Sequence, residues 1–229
     1  MNQVVLLHGA IGASDQLLPL SKSLAEKGFK VYCFGFSGHG KQAFNESFSI
    51  EQFATELYQF IIEKNLSQPD IFGYSMGAYV AIYLAAQKPK LIGKIATLAT
   101  KFNWTPEGAI KEAAMLHPET LLQKVPHFAE ALQKRHGHQW VELLHKTSAM
   151  MKALGDDPLL VEEVFKTLEC PVLLGIGDKD AMVSLDETRA VFKLLPKAEM
   201  YMLPRTKHPI EGVDVALLSL ILNAYFKEK

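Results

Sequence analysis

Apolar residues in this chain follow two rhythms. Short runs, mostly β-branched and aliphatic, occupy Val4 to Leu7, Lys30 to Phe34, Asp70 to Tyr74, Ile92 to Leu98, Pro171 to Ile176 and Glu199 to Leu203. They lack a regular polar alternation, which predicts strands buried on both faces, as in a parallel sheet covered by helices. Between them the pattern turns helical. Asp15 to Lys27 reads as a helix stopped by Gly28, and Ile50 to Lys64 as an amphipathic helix with Ser49 as its N-cap. Ala78 to Ala86 is apolar nearly all round and rich in small residues, so it predicts a helix lying close against the sheet, ended by Pro89. Strand and helix in alternation predict an α/β fold: a three-layer sandwich around a doubly wound, mainly parallel sheet of about six strands.

From Lys101 to Leu168 the alternation breaks, with several helical patterns and no convincing strand. Pro106, Pro118, Pro126 and Pro158 each stand near the start of a helical pattern, where a missing N–H costs little, and Gly137 and Gly155 stand where helices would end. The expected organisation is therefore a core in two parts, residues 1–100 and 169–229, with a helical insertion at 101–168. Phe128, Leu132, Trp140, Leu143, Leu144, Met150, Met151 and Leu154 give the insertion an apolar face. Most of that face packs onto the core; a minority touching substrate would make the segment a lid over an apolar pocket.

A chain of 229 residues is long enough to bury one large core without staples. With 24 basic against 25 acidic residues, no polyanionic partner is suggested, which argues against nucleic acid and anionic membrane surfaces. No apolar run approaches the roughly 20 residues needed to span a bilayer. Met1-Asn2-Gln3 leads into a strand without a charged start or a cleavable apolar segment, so a cytoplasmic location is expected. Cys33 and Cys170 do not form a disulfide framework and are expected to be reduced core residues. No Cys/His group has metal-site spacing; His136-Gly137-His138 comes nearest and reads better as a loop after a helix.

The strongest chemical signal is Gly73-Tyr74-Ser75-Met76-Gly77, which fits G-x-S-x-G between a strand pattern and a helix pattern. A serine at the tip of so tight a turn is forced outward, and glycines two positions to either side avoid clashes with neighbouring chain. Ser75 is therefore the candidate nucleophile. Further motifs follow the other strands: His8-Gly9-Ala10-Ile11-Gly12, Phe36-Ser37-Gly38-His39-Gly40, Gly177-Asp178-Lys179-Asp180 and Lys207-His208. In this order the set resembles the α/β-hydrolase superfamily over nearly the whole chain outside the helical insertion.

That resemblance implies a nucleophile–acid–base order of Ser75, Asp180 and His208. A neutral hydroxyl needs a base to accept its proton, and His208 sits in the loop from Pro204 to Pro209 after the last strand, at the sheet's carboxyl edge. The histidine needs a carboxylate to orient it. The family's G-x-x-D pattern points to Asp180, with Asp178 as the competing carboxylate in the same loop and the better candidate for a turn cap. Backbone N–H groups of Ala10 and Met76 are the implied oxyanion donors. His8 and His39 read as structural loop residues.

At its start the chain is expected to depart from the superfamily pattern by lacking the usual leading antiparallel hairpin. The Val31 strand then becomes an edge, and a homodimer through it is one way to cover it. In the family's strand order Cys33 and Cys170 stand about four strand spacings, roughly 19 Å, apart, beyond disulfide reach. The implied activity is hydrolysis of a small carboxylic ester, lactone or thioester through an acyl-enzyme, with no metal or organic cofactor. Two alternatives use the same scaffold. One is a pyruvate-eliminating lyase resembling that of menaquinone synthesis, which would need arginines where only Arg135, Arg189 and Arg205 exist. The other is a non-catalytic binding protein.

Overall fold

The computed structural model describes residues 2–228. Six strands, β1 (Gln3–Leu7), β2 (Lys30–Phe34), β3 (Asp70–Tyr74), β4 (Ile95–Leu98), β5 (Val172–Gly177) and β6 (Ala198–Leu203), form one sheet in the order β2-β1-β3-β4-β5-β6. Every neighbouring pair is parallel, so among the described residues the sheet is wholly rather than mainly parallel. β4 is shorter than the apolar run suggested. Gly93 turns beneath β3 instead, where a Cβ would stand 2.7 Å from Asp70 Oδ1 and 2.8 Å from the Gln68 carbonyl.

The two-period of the strands divides the core. Val4 and Leu6 join Phe72, Ala96 and Leu173 on one face, under α1 (Leu18–Glu26) and α10 (Val215–Lys227). Val5 and Leu7 join Ile71, Ile95 and Val172 on the other, under α2 (Ile50–Glu63), α3 (Met76–Gln87) and, beyond the helical connection described next, a helix over Leu185–Leu194. Each fully buried aliphatic side chain contributes about 1.5–3 kcal/mol relative to exposure. α2 starts where Ser49 Oγ accepts from the Gln52 N–H at 3.2 Å, and α1 is followed by Gly28 at φ 91°. α1 begins three residues later than its pattern implied, after a 3-10 turn over Ser14–Leu17.

The connection from β4 to β5 carries α4 (Pro106–Ala114), α5 (Pro118–Lys124), α6 (Pro126–His136), α7 (Trp140–Asp156) and α8 (Glu162–Thr167); the helix over Leu185–Leu194 is α9. Three prolines open helices, but Pro158 lies in the link between α7 and α8. Gly155 stands next to the end of its helix, as expected, and has a second role there. It lies within α7, where a Cβ would come 2.4 Å from that of Ala109, so it lets α7 close on α4. Leu132, Trp140 and Leu144 pack with Leu121 and Ala129 into a small core of their own, whereas Phe128 is exposed rather than part of the apolar face.

Cys33 and Cys170 are free and only half-buried, because one lies on the edge strand β2 and the other just before β5. Burial pushes both thiols up, that of Cys170 to about 11. No helix among the described residues is long and apolar enough to cross a membrane. The strand order places the topological switch at β1, since the chain runs from β1 to β2 and returns on the other side as β3. Loops leaving the carboxyl ends of β1 and β3 therefore diverge and open a crevice between them.

Candidate active site

Ser75 joins β3 to α3 with φ 51° and ψ −119°, left-handed backbone that a residue with a Cβ occupies only when its surroundings impose it. Such a conformation costs about 1–3 kcal/mol. The surroundings are specific: the Ser75 N–H donates to the Leu98 carbonyl at 2.9 Å, and the Ser75 carbonyl accepts from Thr100 Oγ1 at 3.2 Å. The flanking glycines are sterically obligatory. A Cβ on Gly73 would sit 2.3 Å from the Ala78 backbone, and one on Gly77 2.7 Å from the carbonyls of Leu7 and His8. The turn is thus wedged between its own helix and the end of β1.

The loops after β5 and β6 bring the second group together. A Cβ on Gly177 would lie 2.2 Å from the Thr206 carbonyl, so glycine lets the two loops touch. There His208 Nδ1 lies 2.9 Å and 3.1 Å from the two carboxylate oxygens of Asp180. The Asp180 carboxylate is fully shielded from solvent and also accepts from the backbone N–H groups of Met182 at 2.8 Å and Val183 at 2.9 Å. Burial raises its pKa, but the bonds from His208 and these amides outweigh that and hold the carboxyl below its usual range. Asp178, the competing carboxylate, faces away: its Oδ1 accepts from the Thr206 N–H at 3.0 Å and steadies the loop. Tyr74 Oη donates to the His208 carbonyl at 2.9 Å, tying this loop to β3.

Ser75 and His208 line one cavity of ≈ 50 Å³, together with Ala10, Met76, Tyr79, Met150, Met151, Leu154 and Val183. No hydrogen bond joins the Ser75 hydroxyl to the imidazole among the described residues, so the structure assembles the Asp180–His208 pair and places Ser75 on the same wall. Met76 heads α3, where the first N–H groups of a helix have no partner within it. Ala10 follows the end of β1.

Three buried histidines hold the Ala10 loop. His8 accepts from the Phe36 N–H at 3.3 Å through Nε2 and donates from Nδ1 to the Gly9 carbonyl at 2.9 Å, a neutral tautomer; burial, then the nearby His39, keeps its pKa well below normal. His39 faces the carbonyls of Ser37 at 2.9 Å and Ala10 at 2.6 Å. Burial lowers its pKa and the two carbonyls oppose that. A ring protonated at both nitrogens donates to both carbonyls, and a neutral ring to one of them. His136, at the end of α6, accepts from the Gly40 N–H at 2.9 Å and donates to the Ile11 carbonyl at 3.0 Å. Gln139 Nε2 donates to the carbonyls of Gly38 and Gln42 at 3.1 Å and 2.8 Å.

In sequence His136-Gly137-His138 reads as a loop after a helix, and neither that spacing nor Gln139 signals these bonds. Nor does the sequence single out Lys101, Trp104 and Glu112, which line the same cavity. Lys101 and Trp104 closely follow the carboxyl end of a strand, and that position was the available signal.

Comparison with known proteins supplies the wider frame. The family model for the alpha/beta hydrolase fold matches residues 2–162, a span that includes Ser75. Among curated proteins, the chain is 22% identical to the sn-1-specific diacylglycerol lipase ABHD11 of Danio rerio, covering 91% of this chain and 73% of that protein. The Xenopus laevis protein of the same name is 24% identical over 57% of this chain, and the match spans only 41% of its length. Among solved structures, the enol-lactonase of Burkholderia xenovorans LB400 superposes with a TM-score of 0.81 at 17% identity, covering 99% of this chain and 92% of that one. A matched family model over most of the chain, a parallel six-stranded sheet and a serine turn at its switch point agree: the chain belongs to the α/β-hydrolase fold family.

Proposed function

We propose that the protein is a serine hydrolase of small carboxylic esters, lactones or thioesters, with Ser75 as nucleophile, His208 as general base and Asp180 orienting it. The observation that carries this reading is the strained Ser75 turn facing the same cavity as an imidazole already bonded to a buried carboxylate. His208 Nδ1–H donates to Asp180, which leaves Nε2 free of its proton and able to take that of Ser75 as the hydroxyl attacks. The N–H groups of Met76 and Ala10 receive the developing oxyanion. The imidazolium then protonates the leaving group, and a water activated by the same histidine releases the acid.

Apolar lining and a volume of ≈ 50 Å³ favour a short acyl group, since pockets for larger ligands run to roughly 300–1,000 Å³. Helices α4 to α7 act as the lid: α7 supplies Met150, Met151 and Leu154 to the cavity, while His136 and Gln139 tie the segment to the first two loops. The names of the relatives, a lipase and a lactonase, describe enzymes that open ester bonds and support the same chemistry. A pyruvate-eliminating lyase is disfavoured, because no arginine lines the cavity among the described residues and Arg135 is engaged with Glu211 at 2.9 Å. A fluorophosphonate probe tests the reading. It labels Ser75 in the wild type, not at all in Ser75→Ala and far more slowly in His208→Ala, and p-nitrophenyl esters of short acids turn over; an unlabelled Ser75 with no ester turnover would end the proposal.

A further inference from the structure

The cavity has one wall that apolar packing does not explain. Lys101 and Trp104, in the loop after β4, meet Glu112 of α4 there. Lys101 Nζ lies 3.6 Å from a Glu112 carboxylate oxygen, with the two side chains only 21% and 12% exposed, and 5.6 Å from the centre of the Trp104 ring. Taking such a pair out of water costs more than a well-packed apolar pair of the same volume would. The Trp104 indole Nε1 is itself buried and has no hydrogen-bond partner among the described residues. Buried donors are nearly always satisfied, and of the donors left unpaired among the described residues, which include the Thr147 and Tyr225 hydroxyls, this one belongs to a residue that lines the cavity. A phenylalanine would fill the space without the unsatisfied N–H.

These groups share a chemistry. Lysine and indole are donors only. Glu112, the one acceptor side chain at this wall, is matched by Lys101, and the two charges cancel. The wall therefore offers hydrogen-bond donors with no net charge. A substrate carboxylate brought here would be stripped of water beside Glu112, and an all-carbon chain would leave the donors unanswered.

We propose, on the esterase reading above, that the Lys101–Trp104–Glu112 wall selects esters carrying an uncharged acceptor oxygen, a ketone or an ether, on the part of the substrate that enters the cavity. Lys101 and Trp104 are then specificity-determining residues. A site built to hydrogen-bond a substrate group discriminates against the analogue without it, because its own polar groups are left unpaired.

The test is a ratio of kcat/KM values, which does not depend on how much of each variant is folded. Two matched sets of esters are needed: p-nitrophenyl esters whose acyl chain has one methylene replaced by a carbonyl at successive positions, and acetates of alcohols altered in the same way and followed by acid release. In the wild type, the best-placed ketone exceeds its alkyl parent by roughly tenfold in one set. Trp104→Phe, and separately Lys101→Met combined with Glu112→Leu, bring that ratio towards one. The inference is overturned if no ketone or ether position outperforms its alkyl parent in either set, if the preference survives in either variant, or if a terminal carboxylate is the preferred group. Turnover of alkyl esters without oxygen preference refutes this inference alone. Loss of all ester turnover together with an unlabelled Ser75 refutes the hydrolase reading and, with it, this one.

Discussion

Replacing Asp180 by asparagine tests the arrangement most sharply, because it changes one proton and almost no volume. Asp180 Oδ1 accepts from two backbone amides and faces His208 Nδ1, while Oδ2 lies 2.9 Å from the same ring nitrogen. In Asp180→Asn the amide oxygen keeps the two backbone N–H donors of Met182 and Val183, so the loop holds its shape. The amide NH₂ then points at His208 Nδ1 and forces that nitrogen to accept. The ring proton moves to Nε2, the position that the proposed mechanism needs empty to take the Ser75 proton. Wrong-tautomer substitutions of this kind in known triad enzymes cost about 10⁴ in kcat, or some 5.5 kcal/mol of barrier. Here the carboxylate is shielded from solvent, so the side chain at this position alone sets the tautomer. Steady-state hydrolysis of a short p-nitrophenyl ester should fall by about that factor, with fluorophosphonate labelling slowed in step and thermal unfolding little changed. Asp178→Asn keeps its bond from the Thr206 N–H and should stay within a few-fold of wild type. Activity of Asp180→Asn within tenfold of wild type, or an equal loss in Asp178→Asn, would refute the reasoning.

Two further outcomes follow from the geometry. Gly73→Ala drives a Cβ to 2.3 Å from the Ala78 backbone and should cost about 1–3 kcal/mol in denaturant unfolding, whereas Gly212→Ala meets nothing within 4 Å and should be near neutral; equal effects would contradict the packing of the turn. His136 titrates at about 4 in the folded chain, lowered first by burial, against an ordinary value of 6.5. The unfolded chain therefore binds the proton first, and stability present above pH 6.5 is lost as pH falls towards 4. Allowing for solvent screening around this loop, the loss through this residue is about 1–2 kcal/mol. His136→Gln should flatten the stability profile in that window, and an unchanged slope would show that the His136 link does not govern it.

Much of this protein was legible along the chain. The unbroken apolar runs specified strands buried on both faces, since only a sheet covered twice can bury Val4, Val5, Leu6 and Leu7 together. Gly73 and Gly77 marked a turn that tolerates no side chain at either position, and helix starts at Ser49 and Pro106 followed from local hydrogen bonding. The helix starts and the Gly73 position are short-range matters, decided by neighbours within a few residues, whereas Gly77 also answers to the carbonyls of Leu7 and His8 at the end of β1. What lies across the chain was not legible in the same way. The choice of Asp180 over Asp178 rested on resemblance to the G-x-x-D pattern, and the meeting of two loops over Gly177 is what brings the Asp180 carboxylate to His208. Gly155 marked the end of α7 but not the close approach of α4 that it permits, and His136 read as part of a loop after a helix, with nothing to show its ring bonded to the loops after β1 and β2. The donor-rich wall at Lys101, Trp104 and Glu112 belongs to the same class, because a side chain's partner is chosen by distance in space, and separation along the chain does not record it.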